Sequence, residues 1–263
     1  MPGGPLWMLG CGNMGGAMLR RWLAAGLDAD EVTVVTRSGR GVPEGVRSVA
    51  AFPPDAEPAV LVLAVKPQQL DAVAPMLATI RVPLLVSILA GVEVAALASR
   101  ILASTIVRAM PNLPVAIGRG VTALYADATD EITRDSVEAL AAPLGHYEWI
   151  TDEAQFDAVT ALAGCGPGFV FRFADALAAA GASLGLPADQ AARLALATLE
   201  GSAIMAAAAD VSLATLANRV ASPGGSTREG LNVLDRDDAL VRLLTETLAA
   251  SARRNAEMAA AAR

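Results

Sequence analysis

A chain of 263 residues has room for one large domain or two smaller ones. Its net charge of −7, with no lysine or arginine run, argues against a nucleic-acid binder. No stretch reaches the roughly 18 uncharged apolar residues of a membrane span, since the best candidate, 161–171, stops at Arg172.

The hydrophobic fraction of 54% is largely alanine, and no basic, long-apolar leader is read at the N-terminus, so a cytoplasmic location is expected. Two cysteines, Cys11 and Cys165, make no disulfide framework. A single histidine, His146, excludes a His-based triad and a multi-histidine metal site, and no metal is expected.

The chain opens with a short apolar run, Leu6-Trp7-Met8-Leu9, which reads as a buried strand. It runs into Gly10-Cys11-Gly12-Asn13-Met14-Gly15, and a helix-spaced segment follows to Gly26. Strand, G-x-G-x-x-G turn and helix make the dinucleotide-binding fingerprint. Gly10 permits the tight turn, Gly12 the close approach of a pyrophosphate, and Gly15 the packing of helix on strand. The helix start offers amides and a positive dipole end to the phosphates.

The second strand is Val32–Val35. An NAD-binding unit would place an acidic residue near its end to hold the ribose 2′-hydroxyl; here Thr36-Arg37-Ser38 stands instead. Arginine clamps a phosphate bidentately, so NADP is favoured, with NAD possible. An unbroken apolar run, 59–65, reads as a central parallel strand and ends at Lys66, the chain's only lysine. Lys66 thus falls at a carboxyl edge, where ligands of doubly wound sheets bind.

Further strands are expected at 84–88, 105–108, 121–125 and 146–150, with helices at 93–102 and 130–142. Two prolines, Pro111 and Pro114, exclude regular structure from 110–114. The alternation predicts a parallel α/β sheet.

From Thr151 onward no strand pattern occurs and helical spacing dominates. The expected domains are therefore 1–152, dinucleotide-binding, and 153–263, helical. The stretch 167–209 is apolar on nearly every face, which predicts burial against a second copy in a homodimer. Two segments in this half carry glycine-rich helix starts. Ala163–Phe169 places three glycines and Pro167 before a long helix. In Ser222-Pro223-Gly224-Gly225-Ser226-Thr227, Ser226 and Glu229 fit a capping box, and the exposed amides suit a carboxylate.

These motifs together resemble the 1-pyrroline-5-carboxylate reductase family. The likeness rests on Gly10–Met14, Ala64-Val65-Lys66-Pro67-Gln68, 87–92, Val107–Asn112, Asp157–Leu162 and Ser222–Thr227, and runs from Leu6 to the end of the chain. It implies a Rossmann-type doubly wound sheet followed by an all-α domain that dimerises by interlocking, with dimers assembling further, up to a decamer. It implies reduction of 1-pyrroline-5-carboxylate to L-proline by NAD(P)H.

By that resemblance Gly10, Gly12, Asn13 and Met14 hold the pyrophosphate, and Arg37 and Ser38 lie beside the adenosine ribose. Ala64, Lys66 and Pro67 line the cofactor cleft, and Met110 and Asn112 approach the nicotinamide. The amides of Gly224, Gly225 and Ser226 take the substrate carboxylate, the Thr227 hydroxyl meets the ring nitrogen as catalytic residue, and Cys165 is counted with the substrate-binding residues.

The chain departs from the family's Ser-Gly-Ser-Gly-Pro-Ala-Tyr, having Ala163-Gly164-Cys165-Gly166-Pro167-Gly168-Phe169. It also lacks an asparagine near the ribose, with Phe52-Pro53-Pro54 in that region. Alternatives are a reductase of another cyclic imine carboxylate and a non-catalytic NADP sensor. A 3-hydroxyacid dehydrogenase is disfavoured, because no lysine follows Lys66.

Overall fold

The computed structural model describes residues 4–53, 56–78 and 80–261. Pro54, part of one expected departure, lies outside them. Contacts divide the chain into two compact units. One runs to Cys165 and takes in the residues from Ser251 on; the other spans Gly166–Ala250.

The first unit holds an eight-stranded sheet: β1 (Leu6–Leu9), β2 (Val32–Val35), β3 (Arg47–Val49), β4 (Val60–Leu63), β5 (Val82–Ser87), β6 (Ala103–Pro111), β7 (Gly120–Tyr125) and β8 (Gly145–Trp149). Their spatial order is β3-β2-β1-β4-β5-β6-β7-β8. The order reverses between β1 and β4, and crevices open beyond the strand ends at such a point.

Side chains of β1 and β4 alternate between two cores because successive Cβ atoms point to opposite faces. Leu6, Met8, Val60 and Val62 pack with Leu19 and Trp22 of helix α1 (Asn13–Ala24). Trp7, Leu9, Leu61 and Leu63 face Leu70 of α2 (Leu70–Val73) and Leu97 of α3 (Val94–Ala98). Layers on both faces explain why these strands are uninterrupted apolar runs.

The expected all-parallel sheet needs correction at one pair. β6 and β7 run antiparallel, with Arg108 opposite Tyr125 and Pro111 opposite Thr122. Only a short 3₁₀ turn, Leu113–Ile117, joins them, too little chain for a parallel crossover. The expectation for 110–114 is also corrected, since β6 extends through Pro111 and proline is tolerated at a strand's end. Helix α4 (Glu131–Ala141) then returns the chain to β8, parallel to β7.

The predicted boundary at 152/153 falls inside the first unit, and the packing gives the reason. Glu153 accepts from Arg108 Nη1 at 2.7 Å and from the Val94 amide at 2.8 Å. Phe156, opening α5 (Phe156–Val159), lies under the Arg108 guanidinium at 4.2 Å. A π-helical turn, Thr160–Gly164, follows.

The second unit consists of helices α6 (Gly166–Ser183), α7 (Ala188–Ala207), α8 (Leu213–Arg219), α9 (Ser226–Asp235) and the start of α10 (Ala239–Ala261). In α6 no residue is buried, and in α7 only Ala191 and Ala195 are. Phe171, Leu196 and Ile204 are each at least 60% exposed on these two helices. Among the described residues no helix is long and apolar enough to cross a membrane.

Candidate active site

A cleft of about 720 Å³ opens at the carboxyl ends of β1, β2 and β4. Its walls bring together Gly10, Gly12, Asn13, Arg37, Ser38, Ala64 and Lys66, which the sequence reading had grouped from separate motifs. Met14, Pro67, Met110 and Asn112 do not line it. The Met14 side chain packs toward the core, although Met14 is the second residue of α1.

The three glycines of the turn play distinct parts. Gly10 has φ +91°, and a Cβ there would lie 2.6 Å from the Ala64 carbonyl oxygen. At Gly15 a Cβ would lie 2.9 Å from Ala64 Cβ, so helix and strand pack closely only with glycine. Gly12 is the reverse case, with nothing within 4 Å of its added Cβ. What requires glycine there is the space it leaves.

Gly12 is also the N-cap of α1 and supplies no side-chain cap. Gly16 N–H bonds to Gly12 at 2.8 Å, while the amides of Asn13, Met14 and Gly15 have no acceptor among the described residues. Open space and free donors at a positive helix end fit a pyrophosphate.

Several wall residues escaped the sequence reading: Arg20, Arg40, Cys11 and Gln69. Arg40 had a usable signal, since its amide donates to Ser38 Oγ at 3.3 Å in a short turn right after β2. Gln69 Oε1 accepts from the Lys66 amide at 3.2 Å and so fixes the start of the 3₁₀ turn after β4. Burial pushes the Cys11 thiol above its ordinary pKa, opposed by the Arg20 charge.

Asn112 is tied into the fold by its side chain. It is buried, its Nδ2 donates to the Ala163 carbonyl at 2.9 Å, and its Oδ1 accepts from the Val121 amide at 2.8 Å. Both ends of the amide serve the fold, joining the β6–β7 hairpin to the π turn.

The segment 163–169 is not a loop. The π turn passes almost directly into α6, with Cys165 in helical conformation and its N–H bonded to the Thr160 carbonyl at 2.8 Å. Cys165 Sγ accepts from Ser251 Oγ at 3.2 Å. Its neighbours are thus helical backbone on one side and, on the other, a helix start where an added Cβ at Gly166 or Gly168 would meet nothing within 4 Å.

The start of α9 is open, but shifted from the capping box read in the sequence. Gly225, not Ser226, is the N-cap, and no side chain caps the helix. The Gly225 amide donates to the Ser222 carbonyl at 3.0 Å. The free amides are therefore those of Ser226, Thr227 and Arg228, which have no acceptor among the described residues.

A Cβ at Gly225 would lie 2.6 Å from Ser222 Oγ and 3.1 Å from the Ser222 carbonyl oxygen, so a larger residue there would need the serine side chain to turn away. Arg228 Nη2 ties α9 to Asn218 Oδ1 at 2.9 Å. Thr227 and Ser226 are exposed. Among the described residues no cluster of His, Cys, Asp or Glu could hold a metal ion.

Comparison with known proteins identifies the family of each half of the chain. A family model described as NADP oxidoreductase, coenzyme F420-dependent, matches residues 6–91, and one described as pyrroline-5-carboxylate reductase dimerisation matches 153–258. The chain is 34% identical to a pyrroline-5-carboxylate reductase of Pseudomonas aeruginosa, covering 95% of each chain.

A solved structure of a pyrroline-5-carboxylate reductase from Coxiella burnetii superposes with a TM-score of 0.87 at 29% identity, covering 97% of this chain and 98% of that one. The Plasmodium falciparum enzyme with NADP bound gives 0.82 at 25% identity, covering 98% and 99%. The identity held over nearly all of both chains places this protein in a family: the chain belongs to the pyrroline-5-carboxylate reductases.

Proposed function

We propose that this chain reduces the C=N bond of 1-pyrroline-5-carboxylate to give L-proline, with NADPH as the preferred reductant. The observation that carries the reading is the family match over 95% of the chain. The NADP-bound relative and the arginines of the cleft support the choice of cofactor. When bound, NADPH supplies the hydride that the C=N carbon accepts.

The residues of the chain bind and orient. The amides at the start of α1, with Gly12 leaving room, hold the pyrophosphate. The amides of Ser226, Thr227 and Arg228 grip the substrate carboxylate at the start of α9. The dipole of a ten-residue helix favours that anion.

A protonated C=N is a far better hydride acceptor than a neutral one. The Thr227 hydroxyl holds the ring N–H and steadies its charge. A threonine hydroxyl is a weak acid, so its part is to position an imine already protonated, rather than to give the proton. The proton stays on nitrogen and becomes the amine N–H of proline.

The reading includes a homodimer through α6 and α7, further assembly of dimers into a decamer, and a cytoplasmic location. A six-membered imine carboxylate is the second reading, favoured by Cys165 and Phe169, which stand where the family carries hydroxyls. Expression in a bacterium that lacks its own reductase tests the proposal. Growth without added proline is the expected result, and failure of a well-expressed, folded protein to restore growth would refute it.

A further inference from the structure

Three arginines, Arg20, Arg37 and Arg40, line the same cleft, and no aspartate or glutamate lines it. None of the three forms an ion pair with a carboxylate among the described residues. Gathering like charges without a counter-charge is unfavourable unless an anion joins them.

The pyrophosphate is served elsewhere, by the α1 amides. The arginines lie instead on α1 and on the segment after β2, toward the ribose end of such a cleft. A dianionic phosphate monoester is the ligand that this chemistry recognises.

Arg20 has a further contact. Its Nη1 lies 3.5 Å from the Gly41 carbonyl oxygen, which also accepts from Cys11 Sγ at 3.3 Å. The side chain folds back along its own helix, since a Cβ on Gly16 would lie 3.2 Å from Arg20 Nη1. Gly41 has φ +80°, and a Cβ there would lie 2.9 Å from the Cys11 carbonyl oxygen, so this backbone presses on the glycine turn. Ser38 Oγ, accepting from the Arg40 amide, shapes the other end of the same segment.

We propose that Arg20 is a specificity-determining residue for the 2′-phosphate of NADPH: it contributes one guanidinium to a three-arginine site and, through Gly41, holds the segment bearing Arg37 and Arg40 against the turn. The inference rests on the cofactor reading above and extends it to a residue on the helix, eight positions past Gly12.

The test is a titration of reduced dinucleotide fluorescence, with no imine present, on the parent, Arg20→Ala, Arg20→Lys and Arg40→Ala. All these positions are exposed, and thermal melts check that each variant is folded. Arg20→Ala and Arg40→Ala each weaken NADPH by roughly ten-fold or more, about 1.4 kcal/mol, and leave NADH within about two-fold. Arg20→Lys lies between, because it keeps the charge and loses the planar fork. In the parent the preference for NADPH falls as salt rises.

Equal losses for NADPH and NADH, or no loss for NADPH, would overturn the proposal. The outcome is separable from the reductase reading. A chain that shows this discrimination but fails to make proline refutes that reading alone, and a proline-forming chain without it refutes this one alone.

Discussion

The side-chain amide of Asn112 donates to the carbonyl of Ala163 across 2.9 Å, fifty-one residues on, and closes the β6–β7 hairpin onto the π turn. Its Oδ1 holds the Val121 amide as well. Asn112→Ala would leave a buried donor and a buried acceptor unpaired. The expected cost is about 2–4 kcal/mol, read as a lower urea midpoint with an unchanged slope. Unfolding at the parent's midpoint would show that these two bonds are replaced without loss.

Two glycines of one turn have opposite outcomes. Gly10→Ala places a methyl 2.6 Å from a backbone oxygen at positive φ, and should destabilise by several kcal/mol, of which about 1–3 is conformational. Gly12→Ala adds its methyl to open space, so the fold should melt as the parent does while NADPH affinity drops by roughly ten-fold or more. Thermal denaturation with a parallel dinucleotide titration separates the two. If Gly12→Ala bound NADPH as the parent does, the phosphate would lie elsewhere.

Much of this arrangement is legible in the sequence, for stated reasons. β1, β2 and β4 are buried on both faces and so appear as apolar runs, and the G-x-G-x-x-G turn is readable because an apolar run precedes it and a helix-spaced segment follows it. β3 is not legible, because Arg47-Ser48-Val49 is a three-residue edge strand with two exposed side chains. The direction of β7 depends on the path of a 3₁₀ turn, which hydrophobic pattern does not encode. Arg20 escapes because its reach to Gly41 depends on a rotamer. The shift of the α9 cap from Ser226 to Gly225 comes from the turn at Ser222, where a backbone bond takes precedence over the side-chain box.

A pH effect follows from the sheet's last strand. The Trp149 indole donates to Glu138 at 2.8 Å, the Tyr147 hydroxyl at 2.9 Å and Arg134 Nε at 3.0 Å. The Trp149 hydrogen bond foremost, with Tyr147 and Arg134, holds the Glu138 carboxyl below its ordinary range, against the opposing pull of burial. A depressed carboxylate adds stability that is present above its unfolded pKa and is lost as pH falls through the folded one. Glu138→Gln should therefore show a shallower loss of stability on acidification below the ordinary glutamate range. Equal acid slopes, measured by urea unfolding at each pH, would remove Glu138 from that role.

The exposed side chains of α6 and α7 require cover. Phe171, Leu196 and Ile204 are 60%, 63% and 65% exposed within one chain. Contiguous apolar faces of this kind mark interfaces. Sedimentation at micromolar concentration should give a dimer or larger, and Leu196→Glu should shift the protein toward monomer or aggregate. A parent that sediments as a monomer would contradict the role given to these helices.

The central claim is that an imine carboxylate held at the start of α9 is reduced with NADPH. The most direct measurement is the initial rate of NADPH consumption with 1-pyrroline-5-carboxylate, for the parent and for Thr227→Ala, beside piperideine carboxylates and 3-hydroxyacids. The parent should turn over the five-membered imine and not the hydroxyacids, and Thr227→Ala should lose turnover by roughly ten-fold or more, about 1.4 kcal/mol, while still binding NADPH. No consumption with 1-pyrroline-5-carboxylate would contradict the account, and undiminished turnover in the variant would remove Thr227 from the chemistry.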